Sequence, residues 1–146
     1  MFSKATEYSI RAIILIALRS TPDKLLGVAD IAGKLGFPEA FLGKILQNLV
    51  KKNLIVSLKG PGGGFFVKKE TLNFTILNIV EKLEGLDFLC KCGLGLHTCN
   101  DKNPCPIHHE YELVKDKIQK ALSYKTIDTI VNEIAGGNYS MQFELH

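Results

Sequence analysis

VADIAGKLGFPEAFLGKILQNLVKKNLIVSLKGPGGGFFVKK, residues 28–69, decides the fold. Val28, Ile31, Ala32 and Leu35 recur at i, i+3, i+4 and i+7, which makes one apolar stripe of a helix. Gly36 follows as a C-cap, because glycine enters the left-handed conformation at no steric cost. Pro38 suits the first turn of the next helix, where its missing N–H loses nothing. Phe41, Leu42, Ile45, Leu46, Leu49 and Val50 then form two i, i+4 rows facing a core. Leu54-Ile55-Val56-Ser57-Leu58 and Phe65-Phe66-Val67 read as short strands around Lys59-Gly60-Pro61-Gly62-Gly63-Gly64. Two helices at a tight turn followed by a glycine-tipped hairpin outline a winged helix-turn-helix, which sets its second helix in a DNA major groove.

The face of that second helix opposite its apolar rows carries Ala40, Gly43, Lys44, Gln47 and Lys51. Small residues permit close approach, while amide and amine groups reach base edges and phosphates. On an isolated helix such a face would read as plain solvated surface; the hairpin beside it favours the DNA reading. Lys59, Gly60, Gly62 and Gly63 make the hairpin tip cationic and flexible, suited to a phosphate backbone. A nucleotide-binding glycine loop is excluded, since no Gly-Lys-Ser/Thr follows and no helix opens after the glycines.

At 146 residues and 46% hydrophobic, the chain is long enough for one core and an appended element. Its charge is divided. Residues 1–69 hold 11 Lys/Arg against 4 Asp/Glu, and residues 70–146 hold 7 against 11, within an overall +3. A basic first half fits a DNA-facing domain joined to a part with another task. The apolar run Ala12–Leu18 is far short of the roughly 20 residues that cross a bilayer, and no secretory signal is visible. A cytoplasmic location is therefore expected, with no membrane partner, and the four cysteines are expected as thiols or metal ligands rather than disulfides.

Before the helix-turn-helix, Ser3–Leu18 reads as a helix burying Ile10, Ile13, Ile14, Ala17 and Leu18, with Glu7, Tyr8 and Arg11 towards the other side. After the hairpin, Leu72–Leu83 reads as a helix ended by Gly85. Residues 1–84 thus form the DNA-binding domain, 85–106 a cysteine-rich loop without helical or strand period, and 107–135 a long helix plus a short one capped by Thr126. Residues 136–146 are expected as a mobile tail. Tyr111, Val114, Ile118, Ala121 and Leu122 give the long helix a heptad-like stripe, suited either to a partner helix in a homodimer or to its own domain. The fold class is mostly α with a small β-hairpin wing and a long C-terminal dimerisation helix.

The loop holds Cys90-x-Cys92-x6-Cys99-x5-Cys105. Thiolates are soft ligands for zinc, Cu(I) or iron–sulfur clusters. The spacing matches neither common ferredoxin spacing nor a paired C-x2-C zinc site, so zinc and iron–sulfur stand level on chemistry alone. His97, His108 and His109 are further nitrogen donors. No nucleophile–base pair or paired carboxylates stand out, so no enzymatic activity is expected.

The chain resembles the bacterial winged-helix iron–sulfur regulators that include IscR and NsrR. The resemblance rests on Thr6-Glu7-Tyr8-Ser9-Ile10-Arg11, on Phe41-Leu42, on Gly60-Pro61-Gly62-Gly63-Gly64-Phe65, and on three cysteines before a long helix. It implies a homodimeric regulator, commonly a repressor, that binds a palindromic double-stranded operator and carries a 2Fe–2S or 4Fe–4S cluster on Cys92, Cys99 and Cys105. The fourth ligand it implies is either His108 or Glu7 of the partner subunit, and Cys90 falls outside the trio. Sensing of iron–sulfur status, nitric oxide or redox stress follows from the same resemblance. Pro38, Gly43, Lys44 and Lys59 depart from the common family pattern, so the operator is expected to differ from that of well-known relatives. The competing readings are a regulator that uses zinc or thiol oxidation and a cluster-carrying electron-transfer protein.

Overall fold

A computed structural model describes residues 1–142. Helix α1 (Lys4–Arg19) is followed by α2 (Val28–Leu35), α3 (Glu39–Lys51), strands β1 (Ile55–Leu58) and β2 (Gly64–Val67), and the single turn α4 (Lys69–Leu72). Then come α5 (Ile76–Glu84), the single turn α6 (Asp87–Cys90), α7 (His108–Ser123) and α8 (Ile127–Ala135). The fold is mostly helical with one two-stranded antiparallel hairpin.

α1 runs through the middle of the core. Ser3 caps it, its Oγ accepting the Thr6 N–H at 3.1 Å. Ala12, Ile13, Ile14, Leu15 and Ile16 are all buried, so the helix is covered on every side rather than on one. Ala17 and Leu18, expected inside, are only half-buried. The cause is tertiary: α2, α3, α5, β2 and α8 all pack on α1.

α2 ends at Gly36 in the left-handed conformation (φ 70°), as its sequence implies. Pro38 stands one position before α3, extended, with its carbonyl accepting the Leu42 N–H at 3.0 Å. Leu42, Ile45, Leu46 and Leu49 fill the core, but the outer members of the two expected rows do not. Phe41 is 40% exposed and Val50 37% exposed. Phe41 instead meets Tyr8 and Phe37 edge-on, with ring centroids 5.6 and 5.8 Å apart.

The hairpin pairs Ile55 with Val67 and Leu58 with Gly64. Leu26 extends it by two backbone bonds to Phe65, of 2.9 and 3.1 Å, which fastens the wing to the segment before α2. The tip turns on a bond from the Gly63 N–H to the Gly60 carbonyl at 2.9 Å.

The helix expected over Leu72–Leu83 begins later, at Ile76, and Leu72 ends the preceding turn α4. Thr75 caps α5 in a reciprocal capping box with Asn78, and this local satisfaction of backbone donors starts a fresh helix after α4. Thr126 caps α8 as its sequence implies. The Ile127 N–H bonds to the Phe74 carbonyl at 2.8 Å, and Ile127 is wholly buried, so α8 joins the core built on α1. α7 packs along α5 with Tyr111, Ile118 and Leu122 half-buried; Leu113, Val114 and Ala121 stay exposed. Beyond α8, Met141 packs against the core and the Tyr139 ring lies 4.6 Å from Lys125 Nζ. The last residues of the expected mobile tail, 143–146, lie outside the described residues.

Candidate metal centre and nucleic-acid interface

Ala40, Lys44, Gln47 and Lys51 are exposed along α3, with Gly43 half-exposed among them. A Cβ at Gly43 would meet nothing within 4 Å, so this face opens outward. Lys59 and the glycines at the hairpin tip stand beside it, and Gly43, Gln47, Val50, Ser57, Lys59, Phe65 and Val28 line one cleft. α3 and the wing therefore share one cleft, with Lys44 and Lys51 exposed on the helix and Lys59 on the hairpin. Periodicity places Val50 in the core. It is instead 37% exposed and lines the cleft with Ser57, Lys59 and Phe65 of the hairpin, a neighbourhood that no spacing rule encodes.

The second cluster forms between α6 and α7. Cys92 Sγ lies 3.6 Å from Cys105 Sγ, and Cys99 Sγ lies 3.2 Å from His108 Nδ1. The sulfur atoms of Cys92, Cys99 and Cys105 all fall within 4.8 Å of one another. Short turns bring them together. The Gly95 N–H returns to the Cys92 carbonyl at 2.9 Å, with Gly95 in the left-handed conformation (φ 72°). Asn100 Oδ1 accepts from the Lys102 and Asn103 N–H groups at 2.9 and 3.0 Å. The His108 N–H closes on the Cys105 carbonyl at 3.0 Å where α7 starts.

Backbone amides tune the thiols. The Leu96 and Leu94 N–H groups hold Cys92 down, to about 7, and its neighbouring thiols assist. Cys99 moves the other way. The Cys105 N–H favours its thiolate, but desolvation and the nearby Cys105 and Cys92 sulfur atoms outweigh that and raise it. Three half-buried thiols with amide donors and an imidazole nitrogen fit an iron–sulfur cluster by the chemistry of the donor set.

The other expected cysteine and histidine donors stand beside the trio without joining it: Cys90 and His97 line one cavity with Cys92 and Cys99, and His109 groups with Asp101 and His108 within 4.8 Å. Cys90 is exposed in the last residue of α6, and His97 is exposed in the loop. His109 is exposed too, its ring edge-on to His108 at 5.2 Å. Glu7 sits half-buried on α1, paired with Lys4 at 3.2 Å, and within one chain it is not grouped with the trio. Sequence reasoning missed Asp101, whose Oδ1 lies 3.0 Å from His108 Nε2. Tyr111, expected in the stripe of the long helix, packs instead so closely on Gly93 that a Cβ there would come within 3.0 Å of the ring. Spacing reveals neither contact, because each is created by the fold of the loop.

A family model described as Rrf2, iron-dependent transcriptional regulator, matches residues 2–133. The chain belongs to the Rrf2 family. A protein of Aquifex aeolicus described as an HTH-type transcriptional regulator is 34% identical over 134 residues, 90% of this chain and 92% of that one. IscR of Pectobacterium atrosepticum is 26% identical over 125 residues, 86% of this chain and 75% of its own. Among solved structures, IscR of T. potens aligns with a TM-score of 0.71 at 19% identity, covering 97% of this chain and 93% of that one. CymR, the global cysteine regulator of B. subtilis, aligns with a TM-score of 0.71 at 17% identity over 90% and 96%. At those identities the structures speak for the fold alone, which is that of winged-helix Rrf2 regulators. As an Rrf2 protein the chain is a transcriptional regulator of the IscR type, and its relatives are regulators rather than enzymes. Among the described residues no helix is long and apolar enough to cross a membrane.

Proposed function

We propose that this Rrf2 chain is a homodimeric repressor whose grip on a palindromic operator is set by an iron–sulfur cluster at Cys92, Cys99 and Cys105. The observation that carries the reading is the convergence of those three thiols at the foot of α7, in a chain whose basic half is a winged helix. The fourth ligand is assigned to His108, supported by its Nδ1 at 3.2 Å from Cys99 Sγ; Glu7 of the partner subunit is the competing donor. Such a group supplies a centre that oxygen, nitric oxide or iron shortage alters.

The chain's own residues connect that centre to the DNA face. Tyr111 lies on Gly93, and Lys115 Nζ donates to the Lys91 carbonyl at 3.4 Å while pairing with Glu112, so the cysteine loop is fastened to α7. At the loop's other end, Glu84 accepts from Ser3 Oγ at 2.7 Å and from Thr6 Oγ1 at 2.6 Å, which ties α5 to the start of α1. A change in the loop therefore bears on α7, which presents Leu113 and Val114 to a partner, and on α1, which carries α2 and α3. A two-fold dimer reads half-sites at fixed spacing, so a small shift between recognition helices weakens binding.

Anaerobic purification with a visible spectrum and iron and sulfide analysis tests the cofactor. Gel-shift titrations test the switch: cluster-loaded and cluster-free forms are expected to differ several-fold in operator affinity, with affinity falling steeply as salt rises. Superimposable titrations of the two forms would remove the switching reading.

A further inference from the structure

Asp101, His108 and His109 form a second donor group, and it contains no sulfur. One oxygen of Asp101 and one ring nitrogen from each histidine lie within 4.8 Å of one another. Asp101 Oδ1 stands 3.0 Å from His108 Nε2, and the two imidazole rings meet edge-on with centroids 5.2 Å apart. Two donors at about 2.1 Å on neighbouring corners of an octahedral ion are about 3.0 Å apart. Two histidines and one carboxylate on one side of an ion, with the other corners open, is an arrangement that suits Fe2+.

The local fold fixes each donor. Asp101 sits in a turn closed by two backbone bonds between Asn100 and Asn103, of 3.0 and 3.3 Å. His108 and His109 open α7, which sets both of their backbones. His108 is 9% exposed, whereas the Asp101 side chain is 92% exposed and His109 is exposed as well. One donor is therefore buried, and the open corners face water. The positive end of α7 opposes a cation, and Asp101 together with Glu110 of the first turn offsets it.

We infer that Asp101, His108 Nε2 and His109 bind one six-coordinate divalent ion of the Fe2+ or Mn2+ kind, with water on the remaining corners. A second observation sets this site apart from the thiols: His108 turns Nδ1 to Cys99 Sγ at 3.2 Å and Nε2 to Asp101. A neutral imidazole has one bare nitrogen and one N–H. With an ion on Nε2 the proton stands on Nδ1, where the sulfur accepts it, and the ring offers no lone pair there. The ion site itself needs no cluster. Its consequence for the cysteine loop does rest on the cluster reading: an ion on Nε2 and a cluster on Nδ1 exclude each other, so the ion leaves the fourth cluster position to Glu7 of the partner subunit.

The test titrates the full cluster-free chain, reduced and under anaerobic conditions, with Mn2+, a hard ion that thiolates hold poorly. The electron paramagnetic resonance signal of hexaaqua Mn2+ should fall by one equivalent per chain, and Fe2+ should compete for the same place. Asp101→Asn and His109→Ala, both at exposed side chains, should each weaken Mn2+ binding roughly 10-fold or more and leave the circular dichroism unchanged. Cys90→Ser should bind Mn2+ as the unaltered chain does. An undiminished signal, or equal Mn2+ affinities in the unaltered chain and both ligand variants, overturns the inference. A chain that takes up iron and sulfide yet leaves Mn2+ free sinks the ion site alone. One that binds Mn2+ as expected and never takes up iron and sulfide sinks the cluster reading alone. A cluster loaded on His108 should weaken Mn2+ binding by a similar factor, and a loaded chain that binds Mn2+ as tightly as before overturns the exclusion.

Discussion

At the residue scale, the Glu84 carboxylate shows how one side chain links distant segments. The Ser3 hydroxyl, then the Thr6 hydroxyl, hold it below the usual carboxylate range. A group depressed in the folded state stabilises the fold above its ordinary range, and that contribution disappears as pH falls through the folded value. Denaturant unfolding from neutral pH down through the carboxylate range should therefore show the unaltered chain losing more stability than Glu84→Gln. Parallel losses in the two proteins would deny the link. Gly64 gives a second prediction. Its φ of 153° and a Cβ position 2.7 Å from the Leu26 carbonyl oxygen leave no room for a side chain. Gly64→Ala should cost about 1–3 kcal/mol, measured by the shift of the denaturant midpoint. Gly43→Ala is the control: the space there is open, and alanine should stabilise α3 by about 0.5–1 kcal/mol. Equal effects at the two glycines would mean the wing is not seated against Leu26.

At the element scale, α3 has a buried face and an open one, and in the proposed reading only the open one meets DNA. Leu46 is 1% exposed, and Leu46→Ala should cost about 2–5 kcal/mol of unfolding free energy. Gln47 is exposed on the other face, so Gln47→Ala should change stability by less than about 0.5 kcal/mol. Its effect should appear instead as lost operator discrimination of about 1–3 kcal/mol in competition gel shifts. A Gln47→Ala protein that binds and discriminates unchanged would take α3 out of the groove. The extent of α3 was readable because its 3.6-residue period, Gly36 and Pro38 agree with one another. The break between α4 and α5 was not, because Leu72, Ile76 and Ile79 keep the apolar spacing across it. Only the Thr75–Asn78 capping box and the Thr71 bond to the Leu54 carbonyl at 2.8 Å override that pattern.

For the whole molecule, the uncovered side of α7 is the surface that the proposed homodimer would use. Leu113 is 57% exposed and Val114 49% exposed, whereas Tyr111, Ile118 and Leu122 are partly covered by their own chain. The heptad-like stripe thus divides into members covered by their own chain and members, Val114 and Ala121, left exposed. A Leu113→Asp/Val114→Asp chain should keep its circular dichroism and sediment as a monomer, with weakened binding to a palindromic site. A variant that still sediments as a dimer would move the interface off this face.

The sequence by itself determined the winged helix-turn-helix, the caps at Gly36 and Thr126 and the separation of a basic from an acidic half. These are local properties: periodicity, capping and composition act over a few residues. Tertiary structure decided that α1 is buried all round, that Val50 lines the wing cleft and that Cys92, Cys99, Cys105 and His108 converge while Cys90 does not. Those outcomes depend on turns placing remote atoms within a few ångströms and on α8 returning to cover α1, and spacing along a chain does not carry either.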